Sequence, residues 1–218
     1  MEDKQGMEKI TEPGNTQEKK NSEYLEAAEE GELETLVTLL DAGADIKCKD
    51  KYGNSALHLA AEEGNDDIVK ILVDRGLDVN IQGQNEWTPL IKAAAYAPPY
   101  LSPPWRESTV NTLIAAGADI TCTDAQGDNA LHKAARKGND KIVKTLVDQG
   151  LDVNTRGQYD RTPLMRAAVG GYETTVNILI QAGADITCRD AQGNNALDVA
   201  AGHDKIVKML LEIQNGQL

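Results

Sequence analysis

The chain has 218 residues, 40% of them hydrophobic, and 35 acidic against 22 basic side chains give a formal charge of −13. That is apolar material for one sizeable body, or two small domains if the chain divided, while the negative charge repels nucleic-acid phosphates and anionic lipids and so speaks against nucleic-acid and membrane partners. No apolar run approaches the roughly 20 residues of a membrane span, and the opening MEDKQGMEKITEPG has no secretory-type apolar stretch, so a soluble, intracellular protein of the cytoplasm or nucleus is expected.

Residues 1–20 are polar, include Pro13 and Gly14, and show no period, which predicts a disordered leader. A single folded domain over 21–218 is expected beyond it. Its first unit, 21–49, has Ala27, Ala28, Gly31 and the apolar stripe Leu33, Leu36, Val37 and Leu40, with Glu23, Glu26 and Glu34 free to face water.

From there a leucine after each predicted turn recurs at Leu57, Leu90, Leu131, Leu164 and Leu197, with spacings of 33, 41, 33 and 33. A fixed period in this range marks a solenoid. The units are 50–82, 83–123 with an eight-residue insertion, 124–156, 157–189 and a shortened 190–218. In each, Ser55, Thr88, Asn129, Thr162 or Asn195 stands where a helix N-cap belongs, and Pro89 and Pro163 take the first helical position.

A short helix with paired alanines follows each cap and is broken by a glycine such as Gly64, Gly138 or Gly171. A second helix shows i, i+3, i+4 apolar spacing, as in Ile68, Val69, Ile71 and Leu72, and stops at Gly76, Gly117, Gly150 or Gly183. The second and fourth units share GNDxIVKxLVDxGLDVN, whereas the third and fifth share VNxLIxAGADITCxDAQG, so the unit of duplication reads as a pair.

The segments DKYGNSALHLAAEEGNDDIVKILVDRGLDVN from Asp50 and DAQGDNALHKAARKGNDKIVKTLVDQGLDVN from Asp124, with WTPL at 87–90 and RTPL at 161–164, resemble the ankyrin-repeat family over roughly residues 22–211. The resemblance implies an all-α solenoid of about six repeats including both caps. It also implies a non-catalytic module that binds another protein on its concave face, as an adaptor or sequestering inhibitor. Occlusion of an enzyme's active site and inhibition of a transcription factor are the alternatives it leaves open.

Catalytic and metal equipment is not visible. His58 and His132 hold the histidine position of the family's TPLH motif, where the side chain is expected to bridge neighbouring repeats. His203 belongs to a glycine-histidine pair, and no H-x-x-x-H, C-x-x-C, G-x-S-x-G or P-loop spacing occurs. The recurrent Asp45, Asp78, Asp119, Asp152 and Asp185 read as turn residues. Cys48, Cys122 and Cys188, at equivalent points of alternate repeats, read as reduced thiols rather than redox sensors. No cofactor or metal is expected.

Family positions for partner contact are the turn tips and the two residues after each alanine pair. In this chain the latter are Glu29 and Glu30, Glu62 and Glu63, Ala95 and Tyr96, Arg136 and Lys137, then Val169 and Gly170. The order runs from acidic to aromatic to basic, and residues 21–82 carry 15 acids against 5 bases whereas 124–189 carry 8 against 9. This asymmetry serves either solubility or recognition of a basic or mixed-charge segment.

Of eight aromatic residues, Tyr52, Trp87 and Tyr159 fall in tips, and Tyr100 and Trp105 in the insertion with Pro98, Pro99, Pro103 and Pro104. Such side chains are favoured interface anchors, although a proline-rich loop covering the lengthened second helix is the alternative. Asn80 and Asn154, each ending an acidic-Val-Asn sequence eight residues after Leu72 or Leu146, match the family's asparagine-hydroxylation pattern. A monomer that recruits a different protein is expected.

Overall fold

The computed structural model describes residues 17–95 and 104–216, with backbone alone for 104–106. Among them, twelve α-helices form six antiparallel pairs: α1 (Gln17–Glu30) and α2 (Leu33–Asp41), α3 (Ala56–Glu63) and α4 (Asp66–Asp74), α5 (Pro89–Ala95) and α6 (Pro104–Ala115), α7 (Ala130–Lys137) and α8 (Asp140–Asp148), α9 (Pro163–Gly170) and α10 (Glu173–Gln181), α11 (Ala196–Val199) and α12 (Asp204–Gln214). The described residues form no strand beyond the isolated bridges Lys49 to Ser55 and Thr123 to Asn129. This is the all-α solenoid implied by the family resemblance, with the repeat expected from the period.

Odd-numbered helices pack on one another from α1 to α11, and even-numbered helices form the second layer from α4 to α12. One core runs between the layers. It is built from the alanine pairs Ala27 and Ala28, Ala60 and Ala61, Ala93 and Ala94, Ala134 and Ala135, and Ala167 and Ala168, with Leu57, Leu72, Leu90, Leu131, Leu146, Leu164 and Leu179 beside them. Alanine at the crossing lets odd helices approach closely, and the leucines then fill the space between layers.

Local chemistry sets the boundaries. The Asn129 side chain accepts from His132 N–H and the Thr162 side chain from Met165 N–H, capping α7 and α9. Pro89 and Pro163 open α5 and α9, where the missing N–H costs nothing. Gly64, Gly138 and Gly171 end their helices in the left-handed conformation. Gly138 has a second reason to lack a side chain, because a Cβ there would fall 2.4 Å from the ring of Tyr172 in the next repeat.

Successive turn tips have two designs, in keeping with a duplicated pair. At Asp50, Asp124 and Asp190 one carboxylate oxygen accepts backbone N–H groups two and four residues on, and a left-handed glycine completes the turn. The tips at 84–86 and 158–160 instead hold two consecutive non-glycine residues left-handed: Asn85 and Glu86, Tyr159 and Asp160. The Asn85 and Tyr159 carbonyls accept from Ala125 N–H (2.9 Å) and Ala191 N–H (2.8 Å), so these tips bond directly to the following ones.

The ends differ from the middle. In α2 only Leu36 is fully buried, whereas Leu33, Val37 and Leu40 are partly covered. The leader was expected to run disordered to residue 20, but α1 starts at Gln17. Gln17 Nε2 donates to the Gly43 carbonyl at 2.8 Å and Lys20 Nζ to the Ala42 carbonyl at 3.0 Å, satisfying acceptors just past α2. Residues 1–16 of that leader lie outside the described residues.

Candidate partner-binding face

Odd helices and tips together line one face. At its N-terminal end, α1, α3 and the Lys49–Tyr52 tip enclose a groove of about 720 Å³ with Leu25 and Leu59 on its floor. Glu29 and Glu30 are exposed on its α1 wall and Tyr52, 54% exposed, stands opposite. Glu26 lies one turn before Glu30 on the same wall.

Partial burial raises the Glu29 pKa, and Glu63, Glu30, Glu62 and Asp50 add to the rise by repulsion. The expected acidic positions of two adjacent repeats therefore share one electrostatic neighbourhood. Glu62 differs from the others, since its carboxylate meets Lys92 Nζ at 2.7 Å. Among the described residues, no salt bridge engages Glu26, Glu29 or Glu30.

Midway, Trp87 is half-buried against the core rather than projecting from a tip. The ammonium groups of Lys92 and Lys133 lie 5.5 and 5.1 Å from its ring centroid. Tyr96 and Tyr100 lie outside the described residues, as does the Trp105 side chain at the start of α6.

Behind Trp87 lies an ion network that the sequence reading missed. Lys133, 4% exposed, bridges Asp124 Oδ2 at 2.6 Å and Asp128 Oδ2 at 3.0 Å. Arg166 Nη2 approaches Asp128 Oδ1 at 3.0 Å and the Gln158 carbonyl at 3.2 Å. Burial alone would raise the Asp128 pKa, but the Gln158 N–H and the two cations outweigh it and hold the carboxyl below its usual range. A signal was present: Asp128 replaces the Asn54 and Asn194 of equivalent tips, and Lys133 replaces Leu59.

At the C-terminal side, Arg136 and Lys137 are exposed after the α7 alanine pair, and Val169 is 46% exposed one repeat on. Tyr159 stands out from its tip, 59% exposed. Of the basic residues in 124–189, Lys133 and Arg166 are thus spent inside the fold, while Arg136 and Lys137 face water.

The remaining sequence candidates are structural. His58 accepts Ser55 N–H at Nδ1, so its proton sits on Nε2 and donates to the Trp87 carbonyl at 2.9 Å. His132 Nε2 faces the Thr155 and Arg161 carbonyls at 3.2 and 3.1 Å. Both are bridges between repeats, and burial lowers the pKa of each, that of His58 to about 4. Asp45, Asp78, Asp119, Asp152 and Asp185 each accept a backbone N–H two residues on, as turn residues should.

Asn80 Oδ1 accepts Asp119 N–H at 2.8 Å and Asn154 Oδ1 accepts Asp185 N–H at 2.7 Å, linking consecutive hairpins. The three cysteines are free and half-buried. Burial pushes each thiol pKa up, to about 11 for Cys48, which favours the unreactive thiol. Among the described residues no group of three or more His, Cys, Asp or Glu could hold a metal ion, and no helix is long and apolar enough to cross a membrane.

Comparison with known proteins agrees with this architecture. A chain from the complex of the predatory endopeptidase Bd0816 of Bdellovibrio bacteriovorus with immunity protein Bd3460 superposes with a TM-score of 0.75 at 27% identity, covering 87% of this chain and 97% of that one. A palmitoyltransferase, AKR1 of Lachancea kluyveri, is 32% identical over 127 residues, 56% of this chain and only 16% of that protein's length. The family model for ankyrin repeats matches residues 25–99 and 106–190. With paired helices, alanine crossings, interlocked tips and bridging histidines all in that span, the chain belongs to the ankyrin-repeat family.

Proposed function

We propose that this chain is a non-catalytic binding protein, an adaptor or sequestering inhibitor, whose partner protein lies on the inner face across the second to fifth repeats. The observation that carries this is the polarity of that face. Exposed, unbridged glutamates stand at one end and exposed Arg136 and Lys137 at the other, with Tyr52 and Tyr159 projecting beside them. Opposed charge steers and orients an incoming chain, and aromatic anchors slow its departure. A basic or mixed-charge segment suits the acidic end, and neither a nucleic acid nor a membrane suits the overall charge.

A second reading, occlusion of an enzyme's active site, is favoured by the likeness to a chain from an endopeptidase-immunity protein complex. We place the protein in the cytoplasm or nucleus as a monomer that recruits a different chain. Asn80 and Asn154 remain hydroxylation candidates, with the condition that each first release its link to the next hairpin.

The test is capture from source-cell lysate with wild type, an Arg136→Glu/Lys137→Glu variant and a Glu29→Lys/Glu30→Lys variant, all checked for equal thermal midpoints. Selective loss of one identified protein with both variants is expected, and titration of that protein's activity then separates inhibitor from adaptor. Undiminished capture by both variants would remove the inner face from the binding reaction.

A further inference from the structure

We propose that the groove between α1 and the Lys49–Tyr52 tip takes an arginine of the partner's chain together with a flanking apolar residue, so that this subsite reads a cationic-apolar sequence. The inference rests on the reading of the inner face as a protein-binding surface and says what one end of it recognises.

Charge complementarity is the first ground. Glu26, Glu29 and Glu30 line one wall and none takes part in a salt bridge among the described residues. The lysines of the opposite wall form no salt bridge with them: Lys49 Nζ donates to the Gln82 carbonyl at 2.9 Å and Lys51 Nζ lies 4.9 Å from the centroid of the Tyr52 ring. Partial burial raises the Glu29 pKa, and crowding among like charges adds to the rise. An incoming cation relieves that repulsion.

The floor supplies the second ground. Leu25 and Leu59 are side chains of successive odd helices, and with the Tyr52 ring they give the groove an apolar surface beneath an acidic rim. A metal ion would use none of it, and no group of acids among the described residues converges as a metal site requires. At about 720 Å³ the space falls within the range of about 300–1,000 Å³ typical of ligand pockets.

Arginine fits better than lysine. Its planar fork of donors can bond two carboxylates at once while its stem lies on apolar surface. Glu26 and Glu30 stand one turn apart on α1 with Glu29 beside them, a ladder of acceptors for such a fork.

The probe is an acetylated, amidated pentapeptide of sequence alanine-leucine-arginine-leucine-alanine, titrated into the ¹⁵N-labelled full chain by NMR. The first control carries glutamate for arginine and the second carries alanine for both leucines. Shifts confined to Ser22–Glu30 and Cys48–Glu63 are expected with the arginine peptide, and none with the glutamate control. Replacing both leucines, or making the Glu26→Gln/Glu29→Gln/Glu30→Gln variant, should weaken binding by about tenfold or more, with the fold intact by its spectrum.

Equal binding of the arginine and glutamate peptides, shifts centred on Arg136 and Lys137, or an undiminished response from the glutamine variant overturns the assignment. So does equal binding of the alanine-flanked arginine, which would make the groove a simple counterion site. If the peptide misses the groove while protein capture still depends on Arg136 and Lys137, the groove assignment alone falls. If capture is indifferent to the whole inner face, the broader reading falls with it.

Discussion

His58 shows how one side chain joins local capping to repeat stacking. Its Nδ1 faces the N-cap Ser55 and its Nε2 reaches the Trp87 carbonyl in the next repeat, with no exposure to water. Burial holds its pKa at about 4, against 6.5 for the free side chain. The unfolded chain therefore takes up a proton below about pH 6.5 that the folded one refuses until about pH 4, so this residue's stabilisation is complete above pH 6.5 and is lost as pH falls through that window. The slope is about 1.4 kcal/mol per pH unit, or about 3 kcal/mol across the window. Urea unfolding at pH 7.5 and 5.0 should show wild type losing about 2 kcal/mol more than His58→Gln, the comparison cancelling carboxylate effects common to both. Equal losses would mean that His58 is protonated or solvated in the native state.

The tips stack as elements, and charge pairing ties the 124–128 tip to the 158–160 tip. Asp128 joins its own repeat, through Lys133, to the next one, through Arg166 and Gln158 N–H. Asp128→Ala should therefore cost about 3–5 kcal/mol, because it leaves buried cations under-compensated rather than removing a pair cleanly. Asp128→Asn should cost less, since Asn54 and Asn194 serve the same tip position elsewhere. Chemical denaturation of both variants measures this, and a loss below about 0.5 kcal/mol for the alanine variant would show the network to be energetically idle.

Helix and tip elements differ in how far the sequence reveals them. Caps, proline starts and glycine stops act over a few residues, so Asn129, Thr162, Pro163 and Gly138 could be placed from local rules. The network could not, because the Lys133 of ALHKAA is buried only by the tip that folds around it and by Trp87 of the preceding repeat. Trp87 likewise reads as an exposed tip, but it packs against the core with Lys92 and Lys133 over its ring. Residues 17–20 read as a polar leader because the acceptors that fix them, at Ala42 and Gly43, are more than twenty residues away. On the candidate binding face, the residues after each alanine pair follow from the family pattern, but the groove does not, since its walls come from different repeats.

Across the whole molecule, stability in a stacked array is the sum of repeat and interface terms, so the end with the weaker interface opens first. The N-terminal repeat has the 14-residue α1, with Tyr24 fully buried and polar anchors to the end of α2. The C-terminal repeat has an inner helix of only four residues, with exposed Ala201 and Gly202 after it. Its buried apolar side chains among the described residues are Ala196, Ala200, Ile206 and Leu210, while α7 and α8 bury Leu131, Ile142, Val143 and Leu146 besides their alanines. Native-state hydrogen exchange should therefore find α12 amides opening with free energies at least about 1.4 kcal/mol below those of α8, roughly tenfold in protection, and α1 should fall between them. Uniform protection would mean that the solenoid unfolds as one unit with interfaces strong enough to hold even the shortened repeat. Fraying from the C-terminal end would instead leave the acidic groove, Arg136 and Lys137 on the persistently folded part, so binding at the proposed face would survive local opening of α11 and α12.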